Sequence, residues 1–281
     1  MRPLVSVFRR DATNVGDWWS PPHKYFDLNP VREIDLKSHE FDLPDEAVVI
    51  VGGGGLGRED FRQDMSRLCE AAKSKGCKLV AWGVGADLPH WDFHKPVKGM
   101  FLLADYFVGF DLVGTRVWDP AEAEKWVPCA SAMHTGFDKL REVKPDLDVV
   151  LYAHKRRKIC KRGIGNFWKK NRQFLLLPPS LAIGSEDNSG NDIYSKLELM
   201  ARARVVITNS YHGVYWATLL GRQVICLPFK SGLYSFRHEP AYKLGNVTLD
   251  DLHAAPAYPD ALEECRRANI HFQEKLQNLM M

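Results

Sequence analysis

Short runs of apolar residues recur along the chain, and turn residues follow each run. The runs are rich in β-branched and aromatic side chains and lack strict alternation with polar residues. That pattern is typical of strands buried on both faces of a parallel sheet. It predicts eight strands, at residues 4–8, 47–51, 78–82, 106–110, 148–153, 174–177, 204–208 and 223–227.

Between several of these runs lie segments whose apolar residues have the spacing of a helix. Residues 59–75 carry apolar side chains three or four positions apart, and Gly76 is expected to end that helix. The same spacing predicts helices at 192–203 and 260–279. Strands that alternate with helices predict an α/β fold made of βαβ units and doubly wound sheets.

The predicted strands fall into two groups of four, separated by the polar stretch 138–147. We therefore predict two Rossmann-like domains, residues 1–140 and 147–281, that face each other across a cleft. The last helix is expected to pack back on the N-terminal domain. Ligands of such sheets bind beyond the carboxyl ends of the strands, and the polar motifs of this chain all follow predicted strands.

Composition narrows the functional classes. The 281 residues include 38 basic and 35 acidic side chains, and a net charge of +3 does not favour nucleic-acid binding. No apolar run approaches the length of a membrane span, and the first run is too short for a signal peptide. We expect a cytoplasmic protein with at most peripheral contact to the inner face of a membrane.

The cysteines show no Cys-x-x-Cys spacing. Reduced thiols are therefore expected at Cys69, Cys77, Cys129, Cys160, Cys226 and Cys265.

A glycine-rich turn, residues 52–57 (GGGGLG), lies between a predicted strand and a predicted helix. It contains Gly-x-Gly-x-x-Gly, but a nicotinamide site also needs an acidic residue after the next strand, where residues 81–85 read AWGVG. A dinucleotide site is therefore not favoured. Two interpretations stay open: a turn that only packs closely, and a nest of N–H groups at Gly53, Gly54 and Gly55 that binds substrate or phosphate.

Two polar motifs follow other predicted strands of the N-terminal half. Asn14 and Asp17 lie after the first strand, where they form either a helix N-cap or a polar lip of the site. In the second case Asp17 is a candidate base for an attacking hydroxyl. Arg116 follows the fourth predicted strand. Such an arginine is usually a surface charge, but its planar guanidinium suits a carboxylate or phosphate in the cleft.

The run His154, Lys155 and Arg156 continues as far as residue 158 with further basic residues and follows the fifth predicted strand. A charge run is most often a solvated face. At the carboxyl end of a strand, however, the same residues would make a strong anion site. Both interpretations stay open for this segment.

The segment 204–229 predicts a buried strand, a polar turn (NSYHG at 209–213), a helix and another strand. His212 is therefore expected near a helix N-terminus at the carboxyl edge of the sheet. A structural histidine is the usual alternative, but Gly213 and the hydroxyl groups of Ser210 and Tyr211 favour a functional site. An imidazole there can act as a general acid near neutral pH.

No metal site is predicted. His90 and His94 are four positions apart, but Pro89 and Pro96 flank them and no third ligand is evident.

Several motifs, taken in order, resemble the polysaccharide pyruvyl transferase family over roughly residues 11–230. The matching segments are 14–17 (NVGD), 51–57 (VGGGGLG), 81–85 (AWGVG), 115–116 (TR) and 204–228 with its SYHG core. The resemblance implies a GT-B-like fold and transfer of a pyruvyl group from phosphoenolpyruvate to two hydroxyls of a saccharide. It places the acceptor on the N-terminal domain and the donor on the C-terminal domain.

In this resemblance, phosphoenolpyruvate is a co-substrate, no other cofactor is expected, and the acceptor belongs to a bacterial-type surface glycan, including lipid-linked forms. His212 corresponds to the family's general acid. Many members have an arginine two residues before this histidine, where the present chain has Ser210. Other cations must then hold the donor, and the expected donor-binding residues are Arg116, His154, Lys155, Arg156, Ser210, Tyr211, Gly213 and Lys230.

Two other functions remain open from the sequence. A glycosyltransferase of the same fold would use a nucleotide sugar and stack its base on Tyr211, Trp216 or Phe229. A non-catalytic relative would keep the fold and bind a glycan or an anion.

Overall fold

The computed structural model describes residues 2–87, 106–157, 159 and 176–280. The strands are β1 (Leu4–Phe8), β2 (Arg32–Asp35), β3 (Val48–Gly52), β4 (Lys78–Val84), β5 (Leu112–Thr115), β6 (Leu147–Ala153), β7 (Ile183–Asp187), β8 (Ala203–Thr208), β9 (Gln223–Cys226) and β10 (Ala241–Tyr242). The helices are α1 (Val15–Trp18), α2 (Arg62–Ser74), α3 (Gly136–Leu140), α4 (Ile193–Ala201), α5 (Tyr211–Leu219), α6 (Leu249–Ala254) and α7 (Ala261–Met280).

The chain forms two compact units. The first comprises the described residues up to His134 and those from Glu263 onward, and the second runs from Thr135 to Leu262. The division falls just before α3, whose Phe137 and Leu140 are buried. The polar stretch 138–147 therefore lies within the second unit, and most of α7 belongs to the first.

The first unit is built on a parallel sheet in the order β2-β1-β3-β4-β5. Helices cover both faces of this sheet, which explains why its central strands are apolar without alternation. Met65 and Leu68 of α2 pack on the face formed by residues such as Val5, Val49 and Ala81. Phe272 and Leu276 of α7 pack on the opposite face, against Ile50, Val80 and Trp82.

The second unit is built on a parallel sheet in the order β10-β9-β8-β6-β7. One face, which includes Leu151 and Ile207, packs against Leu252 of α6. On the other face α5 lies very close to the sheet, because a Cβ at Gly213 would overlap the side chains of Thr208 and Tyr152. All nine residues of α5 are buried.

Both sheets have the same topology. Numbered within its own unit, each follows the doubly wound order 2-1-3-4-5. The direction of winding reverses between the first and third strands, and the chain segments that leave these two strands diverge to opposite faces. Such a switch point is where ligands bind in open α/β sheets. The switch points lie at the ends of β1 and β3 in the first unit and of β6 and β8 in the second. Both units are compatible with Rossmann-like domains.

The predicted strands at the centres of the sheets agree with the structure, whereas the edges differ. The chain has ten strands in its described part rather than eight. The strands missing from the prediction are β2, β5, β7 and β10, and each pairs with one neighbour only. An edge strand needs no continuous apolar run, and β7 has exposed residues at its centre.

Two predicted strands are wrong. Residues 106–110 form turns, and the strand begins at Leu112. Gly109 has φ +84°, which extended backbone does not adopt, and the rings of Phe107 and Phe110 pack edge to face at 5.2 Å. Phe107 is thus buried without forming a strand, whereas Val108 is exposed. Of the predicted strand 174–177, residues 174 and 175 lie outside the described residues, while Leu176 and Leu177 are not in a strand.

The predicted helices are present with shifted ends. Residues 59–61 form a 3₁₀ turn before α2 begins at Arg62. The end of α2 follows the prediction, because Gly76 has φ +62° and the N–H of Cys77 donates to the carbonyl of Ala72 at 2.9 Å. The helix after β8 begins at Tyr211, so the polar turn and the start of that helix overlap.

A buried asparagine fastens α7 to the first sheet. Asn269 is fully buried, and its Oδ1 accepts a hydrogen bond from the indole N–H of Trp82 at 2.8 Å. Its amide nitrogen donates to the carbonyls of Pro128 at 3.2 Å and Cys265 at 2.9 Å. One side chain thereby satisfies three buried polar groups.

We predict that Asn269→Ala lowers the free energy of unfolding by roughly 2 to 4 kcal/mol, because the buried Trp82 N–H loses its acceptor. Urea unfolding measures the change. Asn278→Ala is the matched control on the exposed side of α7, with an expected effect within about 0.5 kcal/mol. Equal effects of the two substitutions would contradict this role for Asn269.

Candidate functional site

At the switch point of the first unit, Asn14 and Asp17 form a hydrogen-bonded pair. The Oδ1 of Asn14 accepts from the N–H of Gly16 at 3.2 Å and caps α1, while its Nδ2 donates to Asp17 Oδ2 at 2.7 Å. A Cβ at Gly54 would lie 3.3 Å from Asp17 Oδ1. The capping role and the position beside the glycine turn therefore coexist in one motif.

The glycine turn after β3 uses backbone conformations that suit glycine. Gly53 and Gly54 have φ +70° and +74°. The N–H of Gly53 donates to the carbonyl of Trp82 at 2.9 Å, and the carbonyl of Gly54 accepts from the N–H of Gly85 at 2.8 Å. Within the described residues, the N–H groups of Gly54 and Gly55 have no acceptor. Two N–H groups thus remain for an anion or a substrate oxygen.

Arg116 lies against this turn and is only 6% exposed. It directly follows β5 rather than the predicted strand 106–110. A Cβ at Gly85 would overlap the guanidinium, and a Cβ at Gly55 would lie 3.5 Å from its Nη2. Burial raises the pKa of the Cys129 thiol, and the charge of Arg116 partly offsets that rise. Arg116 is therefore a buried charge of the first unit, not a solvated surface arginine.

At the switch point of the second unit, two buried asparagines hold the basic loop after β6. The Oδ1 of Asn209 accepts from the N–H of His154 at 2.6 Å, and its Nδ2 donates to the carbonyl of Arg157 at 2.7 Å. The Oδ1 of Asn188 accepts from the N–H of Lys155 at 2.6 Å. The loop is thus fixed by strands β7 and β8, the neighbours of β6 on either side.

Sequence reasoning missed Asn188. The residue directly follows β7, a strand that the apolar pattern did not reveal. Asn209 belongs to the predicted polar turn, but its contact with His154 was not predicted. That contact results from the pairing of β6 with β8.

The basic loop creates a strong positive potential around His154. Burial lowers the pKa of this imidazole, and the charges of Lys230, Arg156, Lys155 and Arg157 lower it further, to about 4. His154 Nδ1 accepts from the N–H of Arg156 at 3.2 Å. The neutral ring therefore carries its proton on Nε2, where it can donate to an anion. Residue 158 of the basic run lies outside the described residues.

Phe229 lies beside this cationic cluster. The guanidinium of Arg157 sits 5.1 Å from the centre of its ring, and His154 meets the ring edge to face at 5.6 Å. Phe229 and Lys230 come from the segment after β9, so a third strand end contributes to the cluster.

His212 is the second residue of α5 and only 6% exposed. Its ring contacts Tyr211 at 5.4 Å and Trp216 at 4.9 Å between centroids. Ser210 precedes the helix, and its N–H donates to Thr208 Oγ1 at 3.0 Å. The aromatic surroundings fix the position of the imidazole at the end of β8.

Two residues of this segment have packing roles. Gly213 is needed where α5 touches the sheet, and Tyr211 stacks on Phe236 with ring centroids 4.7 Å apart. Trp216 is completely buried. Neither Tyr211 nor Trp216 therefore offers an open ring face to a nucleotide base, and of the three predicted stacking residues only Phe229 is partly exposed.

The predicted site residues thus form two groups. The first unit brings together Asn14, Asp17, Gly53, Gly54, Gly55 and Arg116. The second unit brings His154, Lys155, Arg156 and Lys230 into one cluster, and Asn209 connects it along the chain to Ser210, Tyr211, His212 and Gly213. Arg116 belongs to the first unit, unlike the other predicted donor-binding residues.

No metal centre is evident in the described residues, where no three His, Cys, Asp or Glu side chains are grouped suitably. His90 and His94 lie outside that part of the chain.

No helix of the described ranges has the length and apolar character required to cross a bilayer. The described cysteines are free thiols, and Cys160 is not among them.

No family model and no curated protein matches this chain. Among solved structures, it is similar to a functionally uncharacterized protein from Klebsiella pneumoniae subsp. pneumoniae NTUH-K2044. The two share 14% identity and a TM-score of 0.45, over 81% of this chain and 84% of the other.

We predict that His154 makes the protein less stable in acid. The unfolded imidazole binds a proton near pH 6.5, whereas the folded one does so only near 4, so the unfolded state binds more protons between these values. The free energy of unfolding should fall as the pH falls through that window. In His154→Asn the decline should be smaller, as read from urea midpoints at several pH values. Parallel declines in the two proteins would contradict the prediction.

Proposed function

We propose that this protein is a pyruvyltransferase that uses phosphoenolpyruvate to form a pyruvate ketal on a saccharide. The cationic cluster around His154 is the observation that carries the proposal. Its charges act together with burial to keep a half-buried imidazole neutral. Such a potential favours a ligand with more than one negative charge, and the cluster lies at a switch point, where ligands of these sheets bind.

Phosphoenolpyruvate suits this cluster because its phosphate ester oxygen and its carboxylate are both attached to C2, so two negatively charged groups lie close together. A guanidinium can bind either group through two parallel hydrogen bonds. The pyruvyl transferase resemblance leaves one cation unaccounted for at Ser210. We propose that Arg156 and Lys230 supply that charge, while the Nε2–H of neutral His154 donates to a phosphate oxygen.

His212 is the proposed general acid. It transfers a proton to the methylene carbon of phosphoenolpyruvate, and the cation that forms at C2 is attacked by a saccharide hydroxyl. The C2–O bond to phosphate then breaks, and a second hydroxyl closes the ketal. Each of the two saccharide hydroxyls loses one proton. One of these protons returns His212 to its protonated form, and the other leaves with inorganic phosphate. An unperturbed imidazole has a pKa of about 6.5, so this type of side chain can both give and take up a proton near neutral pH.

In the first unit, Asp17 stays the predicted base for the hydroxyl. Its carboxylate lies beside Gly54, and the free N–H groups of Gly54 and Gly55 provide donors for a substrate oxygen. Asn14 orients the carboxylate through its hydrogen bond to Oδ2. The GT-B-like fold that the resemblance implies also stays a prediction.

The glycosyltransferase alternative has less support. It needs an aromatic face for the base, and Tyr211 and Trp216 are already packed against other side chains or buried. Phe229 has Arg157 over its ring. A binding comparison separates the two functions, because nucleotide sugars should bind poorly where phosphoenolpyruvate binds well.

We predict that Arg156→Met and Lys230→Met each weaken phosphoenolpyruvate binding about tenfold or more, through loss of a charged hydrogen-bond donor. Isothermal titration calorimetry measures the affinity. The exposed Arg204 and Lys144 of the second unit serve as matched controls, and their Met variants should bind normally. If the cluster variants bind as tightly as these controls, the donor is not held there.

We predict that His212→Gln lowers turnover by a factor on the order of a hundred or more, while phosphoenolpyruvate binding is largely kept. Release of inorganic phosphate with an acceptor present reports turnover, and the urea midpoint reports folding. His271→Gln replaces an exposed histidine of α7 and is the control. Near-normal turnover in the His212 variant would remove this residue from the mechanism.

A further inference from the structure

A partly exposed indole follows Asp17 directly in the chain. Trp18 ends α1, and within the described residues its Nε1–H has no acceptor and no other aromatic ring packs against it. Indoles of a folded core usually satisfy their N–H and bury their faces. Trp18 instead keeps an aromatic surface and a hydrogen-bond donor for a ligand.

Lys24 lies over this indole. Its ammonium is 4.4 Å from the ring centre of Trp18 and 4.8 Å from that of Trp19. In the described part of the chain the ammonium donates to no oxygen. Burial lowers the pKa of Lys24, Glu33 opposes that effect, and the charge of Arg10 adds to it. A half-buried ammonium with three open donors is costly unless a ligand or water accepts from it.

Trp19 makes this surface rigid. Its carbonyl accepts from the buried hydroxyl of Tyr25 at 2.6 Å, and its ring meets that of His134 edge to face at 5.6 Å. The Trp19 part of this surface is therefore held in place before any ligand arrives, which reduces the entropic cost of binding.

We propose that Trp18, Trp19 and Lys24 form a saccharide subsite of the first unit, which binds a pyranose ring of the acceptor. The apolar C–H face of the sugar stacks on the Trp18 indole, whose ring face is electron-rich. Ring hydroxyls accept hydrogen bonds from the Lys24 ammonium and the Trp18 Nε1–H. The inference rests on the proposed transfer to a saccharide, and it names residues that bind the acceptor rather than the donor.

The chemistry of the surface favours a sugar over a nucleotide base. A nucleotide base would need aromatic faces on both of its sides or hydrogen-bond acceptors along its edge, whereas this surface offers donors and one partly exposed indole. Asp17, the predicted base, is the residue before Trp18 and belongs to the same short helix. A sugar on Trp18 would thus bind at the short helix that also carries the residue proposed to deprotonate a hydroxyl.

The test measures saccharide binding without phosphoenolpyruvate, so it does not depend on transfer. The intact protein is titrated with a panel of methyl pyranosides and followed by saturation-transfer NMR. We expect millimolar-range binding of at least one of them. Trp18→Ala and Lys24→Met should each weaken it roughly tenfold, Trp18→Phe should weaken it less, and phosphoenolpyruvate binding should stay unchanged in all three.

Lys37→Met is the matched control. Lys37 also lies over an aromatic ring of the first unit, 4.8 Å from the centre of Phe61, but its ammonium is paired with Asp64 at 2.9 Å. This variant should bind the sugar normally. The proposal is overturned if no pyranoside binds, if Trp18→Ala binds as well as Lys37→Met, or if only nucleotides compete at this surface. Loss of donor binding with intact sugar binding would instead count against the proposed function alone.

Discussion

Parallel strand order decides where polar groups gather in each unit. In a sheet of order 2-1-3-4-5, the segments that leave the first and third strands diverge, and the polar groups at those strand ends stay accessible. Asp17 and Gly54 meet there in the first unit, and His154 and Asn209 in the second. The catalytic proposal depends on this constraint, because residues far apart in the chain contact each other only through it.

The second switch point combines buried anchors with exposed charged side chains. Asn188 and Asn209 are buried and bind backbone groups of the basic loop, so the loop backbone is fixed while the ends of Arg156 and Arg157 remain exposed. Such an arrangement holds several like charges together at the cost of their mutual repulsion. A bound dianion would relieve that repulsion, which is why the cluster favours a doubly charged ligand.

The sequence allowed prediction of the central strands and the longer helices, because these depend on local patterns. It did not reveal the edge strands, which are short or interrupted by polar residues, or Asn188, which follows one of them. It assigned Gly213 to donor binding, and the structure adds a packing reason for glycine there, because α5 touches the sheet. The sequence alone also did not show whether Arg116 is exposed or buried. Arg116 is buried against the glycine turn, and that contact joins segments far apart in the chain.

The central claim is that phosphoenolpyruvate donates a pyruvyl group to a saccharide. The most direct measurement incubates the protein with phosphoenolpyruvate and a panel of lipid-linked or aryl-linked sugars and reads product masses. The account predicts an acceptor heavier by one pyruvate less one water, with one phosphate released per product. Unchanged acceptors throughout the panel, together with a glycosylated product from a nucleotide sugar, would contradict it.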